Sequence, residues 1–294
     1  MSRGRLAELS LLGITGIWGL TFVTVQDAVA ILPVATFLAY RFLIATAVMA
    51  VAMPGRIRSI DRSSIKTGLW MGSFLTAGYF FQTYGLEGTS ASNAGFITGL
   101  FVVITPLMAW AINREAIGRL PWIAAAVSVV GLYLLSGAGS NFTFRGDGLE
   151  LLCAVSFSAH IIVTDRAVRD RDDIAGLVIV QMGMVGVVSL VVALAAGQMQ
   201  IPHGWTVWSA ILICAVLASA VAFMVQTWAQ KEADPARTAL ILAGEPAFAG
   251  LFGWWLAGDR LSVQGWIGAA LIFGAILSVE MVPRLRPQRP LPEG

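Results

Sequence analysis

Charge is what this sequence has least of: Asp, Glu, Lys and Arg together make up 12% of its 294 residues. A soluble domain spends about a quarter of its residues on charge, so this chain cannot clothe a water-facing surface of that size. Lysine is scarcer still, with Lys66 and Lys231 only. A phosphate-binding loop needs Gly-Lys followed by Ser or Thr; these lysines follow Ile65 and Gln230, which excludes ATP hydrolysis by that device. The two cysteines, Cys153 and Cys214, lie in apolar stretches without metal-type spacing and read as small buried residues, not as a disulfide or zinc site. The chain has no His-Glu-x-x-His and no Gly-x-Ser-x-Gly. No cluster of Asp or Glu is expected within its helices. An intramembrane enzyme is therefore disfavoured, and no cofactor, metal, nucleic-acid partner or ATPase subunit is expected.

What is abundant is apolar: 57% of residues are hydrophobic and the mean hydropathy is +0.78. A bilayer-spanning helix takes about 20 mostly apolar residues. Helices are expected near 6–26, 33–53, 66–86, 93–112, 120–138, 148–165, 174–196, 205–230, 237–257 and 263–281. The first is too long for a signal-peptide core and shows no evident cleavage site, so it reads as a helix of the mature chain. Pro33, Pro54-Gly55, Arg119-Leu120-Pro121 and Gln200 to Gly204 punctuate the series.

The basic residues test that division. Sixteen of the nineteen fall in the N-terminal segment, in alternate connections or in the tail: Arg3, Arg5, Arg56, Arg58, Arg62, Lys66, Arg114, Arg119, Arg166, Arg169, Arg171, Lys231, Arg237, Arg284, Arg286 and Arg289. Only Arg145 and Arg260 fall in the others, and Arg41 lies within a helix. Under the positive-inside rule this split predicts an all-α membrane protein of ten transmembrane helices with both termini cytoplasmic. One missed or invented helix would scramble the alternation.

The chain also resembles itself. Gln82-Thr83 and Gln226-Thr227 are 144 residues apart, as are Trp122 and Trp266, while Pro106 and Pro246 are 140 apart. Val23-Thr24 similarly echoes Val163-Thr164. Two five-helix units are expected, 1–140 and 141–294. An odd number of spans inverts the second unit relative to the first, an arrangement characteristic of secondary transporters with a midplane site between repeats.

The segments WGLTFV (Trp18 to Val23), YRFLIA (Tyr40 to Ala45), SASNAGFITGLFVVITPLMAW (Ser90 to Trp110) and LAGEPAFAGLFGWWLAGDRLSVQGWIGAALIFGAIL (Leu242 to Leu277) are similar to the EamA-type carriers of the drug/metabolite transporter superfamily. The resemblance covers essentially the whole chain. It implies export of small metabolites, amino acids including aromatic or hydrophobic ones foremost, across the bacterial inner membrane by alternating access without ATP. The YddG-like aromatic amino-acid exporters are one branch. Facilitative channel-like activity and lipid or drug flipping are the alternatives.

Glu245 is the one acidic side chain expected deep within a helix. A carboxylate in hydrocarbon faces the bundle interior, where it has a partner or a function. Three are open to it here: proton coupling, binding a substrate ammonium, or satisfying backbone loosened by Pro246. Arg41 could neutralise Glu245, hold a substrate carboxylate or bond helix-end carbonyls. Pro106 and Pro246 each remove a backbone donor and free the carbonyls near Val102 and Leu242, as hinges or as static bends. The resemblance nominates Trp18, Thr21, Tyr79, Gln82, Thr83, Asn93, Thr98, Phe101, Ser158, His160, Gln226, Thr227 and Trp228 as cavity-lining. Aromatic faces with a few hydrogen-bonding groups suit an amphipathic solute; interface belts and interhelical bridges use the same residues. Gly68 with Gly72, and Gly95 with Gly99, have the spacing of close helix packing.

Overall fold

The fold is described from a computed structural model, in which residues 3–29, 31–85, 88, 91–113, 118–135, 144–169, 171, 173–252, 254–255 and 262–285 are described. All regular structure among them is helical. In chain order the elements are α1 (Arg3–Val29), α2 (Val34–Ala52), α3 (Pro54–Arg58), α4 (Arg62–Gly85), α5 (Ala91–Gly99), α6 (Phe101–Asn113) and α7 (Arg119–Leu135). They continue with α8 (Phe144–Val168), α9 (Ala175–Ala195), α10 (Trp205–Ala215), a π-helical segment (Val216–Val221), α11 (Ala222–Ala229), α12 (Pro235–Leu242), α13 (Glu245–Phe252) and α14 (Val263–Leu285). Five stretches are long and apolar enough to cross a membrane: Val34–Ala52, Ala94–Ile112, Arg145–Val168, Ala175–Ala195 and Trp205–Ala229. Arg119–Leu135 and Val263–Ser278 are shorter and also apolar.

Local chemistry sets the ends. Asp234 caps α12, its carboxylate accepting from the Arg237 amide at 3.0 Å, and Pro235 takes the first position, where no amide partner is needed. At the other end of α9, Gly197 adopts φ +64° while Gln198 N–H donates to the Ala193 carbonyl at 2.8 Å. That is the left-handed glycine termination of a helix. Asp61 caps α4 by accepting from the Ser64 amide at 2.7 Å, and this hydrogen bond holds its carboxyl below the usual range.

Three stretches differ from the sequence expectation. The helix expected over 93–112 is broken at Leu100, whose amide reaches back three residues to Ile97. Its proline is not the cause: Pro106 lies inside α6, six residues beyond the break. The helix expected over 237–257 is broken at Ala243 and Gly244, and Pro246 becomes the second residue of a new helix, where its missing donor costs nothing. Pro106 and Pro246 therefore stand in different local structures. The helix expected over 205–230 holds the π turn at Val216–Val221, which no proline or glycine in that segment announces.

The helices pack as α2 on α9 and α10, α4 on α8 and α9, α7 on α14, α1 on α11 and α13, and α6 on α8. Small residues set the closest crossings. A Cβ on Gly68 would stand 2.7 Å from Val180 Cβ, and one on Gly131 the same distance from the Gly268 carbonyl oxygen. Outward faces carry Trp70, Ile123, Val191 and Leu277, each about half exposed or more. Large apolar side chains thus face outward, as on a surface that lipid covers.

Candidate functional site

A cavity of about 360 Å³ lies among α1, α2, α4, α5, α6, α8, α11, α12 and α13. Of the residues nominated from the sequence, Trp18, Thr21, Arg41, Tyr79, Gln82, Thr83, Thr98, Phe101, His160, Gln226 and Glu245 line it. Ser158, Thr227 and Trp228 do not. Ser158 is fully buried and takes a hydrogen bond from Thr105 at 3.1 Å. Thr227 is buried elsewhere in the bundle, and Trp228 packs against the main hydrophobic core. The Asn93 side chain lies outside the described residues. Neither Pro106 nor Pro246 reaches the cavity wall.

Much of the remaining wall is aromatic or aliphatic, and the sequence reading missed it: Phe37, Leu75, Phe157, Phe223 and Leu242 among others. The signal was present. Phe157 precedes His160 by three residues and Phe223 precedes Gln226 by three, the spacing that puts two side chains on one helical face.

Arg41 is engaged on several sides. Its Nε donates to Ser219 Oγ at 2.8 Å, and its guanidinium also donates to Tyr79 Oη at 3.2 Å and to the Ala218 carbonyl at 3.4 Å. The rings of Phe42 and Tyr79 lie 5.1 and 5.0 Å from its central carbon, within cation–π range. Trp18 Nε1 donates to the same Ala218 carbonyl at 2.7 Å. That carbonyl lies within the π turn, and two elements from the first half of the chain are tied to it.

Glu245, half-buried, lines the cavity from the first turn of α13. Among the described residues its carboxylate has no hydrogen bond and no ion pair; Arg41 acts on it only as a charge across the cavity. An Arg41–Glu245 ion pair, one of the alternatives open to Arg41, is therefore not formed among the described residues. Nor is Glu245 the only deep acid. Asp147, Glu150 and Asp165 of α8 are buried too, Asp147 and Glu150 completely, and Glu150 accepts from Thr98 Oγ1 at 2.7 Å. Glu150 falls near the start of the helix expected at 148, where a long side chain reads as reaching outward to water, so its burial was not anticipated.

The polar side chains His160 and Gln226 of the cavity wall are hydrogen-bonded to groups behind it. His160 Nε2 and Gln181 Oε1 are 2.8 Å apart, Gln226 Nε2 donates to Gln230 Oε1 at 3.2 Å, and Gln230 Nε2 donates to the Ile161 carbonyl at 2.8 Å. Beyond them, Arg237 at the start of α12 pairs with Glu8 of α1 at 2.9 Å. From the middle of the bundle the cavity instead follows the C-terminal parts of α1 and α4 and the N-terminal part of α2, through Val25, Val29, Gln82 and Phe37, with Thr98 at the end of α5 beside it.

A bundle of apolar helices around a part-polar cavity is the architecture of a carrier, and comparison with known proteins decides the family. The model of the EamA-like transporter family matches residues 5–137 and again 144–281. The chain belongs to that family. This EamA-like protein is a multi-pass membrane transporter of the drug/metabolite transporter superfamily. It is 32% identical over 276 residues to an uncharacterized transporter of Archaeoglobus fulgidus, spanning 94% of this chain and 86% of that one. It is 24% identical to the uncharacterized transporter YwfM of Bacillus subtilis, over 96% of each chain. The uncharacterized transporter YyaM of the same organism is 25% identical over 94% of each. A solved crystal structure aligns with a TM-score of 0.78 at 19% identity, covering 97% of this chain and 99% of that one, a likeness of fold.

Proposed function

We propose that this EamA-like protein is a secondary transporter of amino acids with aromatic or hydrophobic side chains, or of closely related small metabolites. It exports them across the bacterial inner membrane by alternating access without ATP. The observation that carries this reading is the Glu245 carboxylate, which faces a cavity walled by Trp18, Tyr79, Phe101, Phe157 and Phe223 without a hydrogen bond or ion pair among the described residues. A substrate ammonium supplies the missing cation, and the rings cover an apolar side chain. Gln82, Thr83, Thr98, His160 and Gln226 are the candidate hydrogen-bonding contacts.

The reading assigns ten spans in two inverted units, 1–140 and 141–294, with both ends cytoplasmic. The packing supports it. Exchange α1 with α8, α2 with α9, α4 with α10 and α11, α5 and α6 with α12 and α13, and α7 with α14. The α2–α9 and α7–α14 pairs then map onto themselves, while α4–α8, α6–α8 and α4–α9 become α1–α11, α1–α13 and α2–α10, all of which are formed. A two-fold relation between the units produces that closure. On this topology the cavity runs toward the outer face, and the Glu8–Arg237 pair closes the inner one.

Purified protein in liposomes tests the function. Labelled phenylalanine and leucine are expected to show saturable counterflow with no ATP present. Linear flux without trans-stimulation points instead to a channel, and lipid scrambling without amino-acid exchange to a flippase. Glu245→Gln is expected to raise the KM for phenylalanine about tenfold, the loss of one charge-assisted hydrogen bond. An unchanged KM removes Glu245 from substrate binding.

A further inference from the structure

Glu150 is the group in this molecule that the substrate cavity leaves unexplained. It is fully buried in α8, and it accepts one hydrogen bond, from Thr98 Oγ1 at 2.7 Å. Its second oxygen, Oε1, is buried with no hydrogen-bond partner. No Lys or Arg is paired with it among the described residues. The chain nevertheless makes room for it: a Cβ on Gly85 of α4 would lie 2.7 Å from Oε1 and 3.0 Å from the carboxyl carbon. The glycine and the acid are fitted to each other.

An ionised carboxylate in that position has one donor and an orphaned charged oxygen, which is the costliest state a buried acid can take. A proton is the one partner that removes the charge without moving any neighbour. The titratable groups acting on Glu150 are Asp147, one turn earlier on the same helix, and Cys153, one turn later. Among the described residues no Lys or Arg is paired with it: α4 presents Gly85 there and has Arg62 and Lys66 at its far end, α5 presents Thr98, α6 and α11 contain no charged residue, and Arg145, five residues earlier on α8, is exposed. Arg237 of α12 is engaged by Glu8, and Glu245 of α13 faces the cavity.

Access is what makes this a site. Thr98 lines the cavity on one side and bonds Glu150 on the other. Its side chain therefore stands between the cavity and an acid that is not among the lining residues.

We infer that Glu150 is the proton-carrying residue of this transporter, loaded from the cavity through Thr98 and separate from the substrate contact at Glu245. The step is a simple transfer. Cavity water gives a proton to Thr98 Oγ1, Thr98 passes its own hydroxyl proton to the Glu150 carboxylate, and the neutral acid results; the reverse steps release it when the cavity faces the other side. No electrons move. This deepens the transporter reading and rests on it for the coupling, though not for the proton site.

Two measurements on the full-length protein in lipid test it. The first needs no substrate: infrared difference spectra recorded through a pH titration. Expected is a protonated-carboxyl C=O band that fades as pH rises, is absent from Glu150→Gln, persists in Glu245→Gln and exchanges with deuterium more slowly in Thr98→Val. A Glu150→Gln spectrum that matches wild type throughout the titration overturns the assignment. So does a Glu150 band that never responds to pH, because an acid that keeps its proton is a structural hydrogen-bonding group.

The second measures flux with labelled phenylalanine as the probe. With one proton per molecule, wild type accumulates about tenfold per unit of imposed pH gradient. Glu150→Gln, which keeps an acceptor for Thr98, is expected to retain counterflow at equal pH and to lose gradient-driven accumulation. Accumulation equal to wild type overturns the coupling. If wild type shows no phenylalanine counterflow, the amino-acid reading fails, and the infrared titration still decides whether Glu150 binds the proton.

Discussion

At the scale of single residues, Arg41 and Glu245 separate two roles that the sequence left joined. Arg41 spends its donors on Ser219, Tyr79 and Ala218 and lies against two rings, so it braces α2 and α4 against the π turn. A lysine keeps the charge but cannot reach these partners together, because a point ammonium has no fork. Arg41→Lys is expected to cost about 2–3 kcal/mol, seen as a lower unfolding temperature in detergent, with the KM of the folded fraction little changed. A large KM change at unaltered stability would place Arg41 on the substrate instead. The nominated residues that miss the cavity share a simple cause. Thr227 and Trp228 follow Gln226 directly, and a helix turns about 100° per residue, so of these three only Gln226 points into the cavity. Ser158 stands next to the lining Phe157 for the same reason. The residue types were readable, while the helical phase was not. Glu150 was hidden differently: its burial depends on Gly85, distant in sequence, leaving a gap.

Among elements, the closest crossings test how far small residues hold the bundle together. Gly131 of α7 and Gly268 of α14 meet backbone to backbone. Gly131→Ala or Gly268→Ala is expected to lower stability by about 1–3 kcal/mol each through overpacking, with less than additive effect in the double variant since one separation of α7 from α14 relieves both. Of the glycine pairs expected to pack closely, Gly68 and Gly72 both press on α9, whereas Gly99 presses on Leu132 and Gly95 has room. The contact between α1 and α12 is of another kind. The Glu8–Arg237 pair is part-buried, with Arg237 also near Asp234 at 3.5 Å. A pair at this exposure is worth about 1 kcal/mol. If it latches the inner end, Glu8→Gln shifts the balance toward the inward-open state about fivefold. A cysteine at Gln226 should then react faster with an impermeant maleimide in inside-out vesicles; an unaltered rate shows that the pair only braces the helix ends. Helix positions were legible because length and apolarity decide them. The break at Leu100 and the π turn were not, because no proline announces them, whereas α12 ends at Leu242, where Pro246 was expected to free a carbonyl.

For the whole molecule, the claim at stake is that the second half is an upside-down copy of the first. The internal repeat suggested this from sequence alone, because the charge alternation gives five spans to each unit and an odd number inverts the second, and the self-mapping of the helix contacts is what a two-fold relation requires. A direct count of spans is simpler than either. Ser59 lies between α2 and α4, and Gln200 between α9 and α10, both accessible. The reading puts five spans between them, an odd number, so cysteines introduced there must label from opposite faces of the membrane. The native Cys153 and Cys214 are buried and leave a low background. Ser59→Cys is expected to react in inside-out vesicles and Gln200→Cys in intact cells. If both react from the same face, the number of intervening spans is even. The second unit is then not inverted, and the cavity between the halves loses the symmetry that lets one packing arrangement open it to either side.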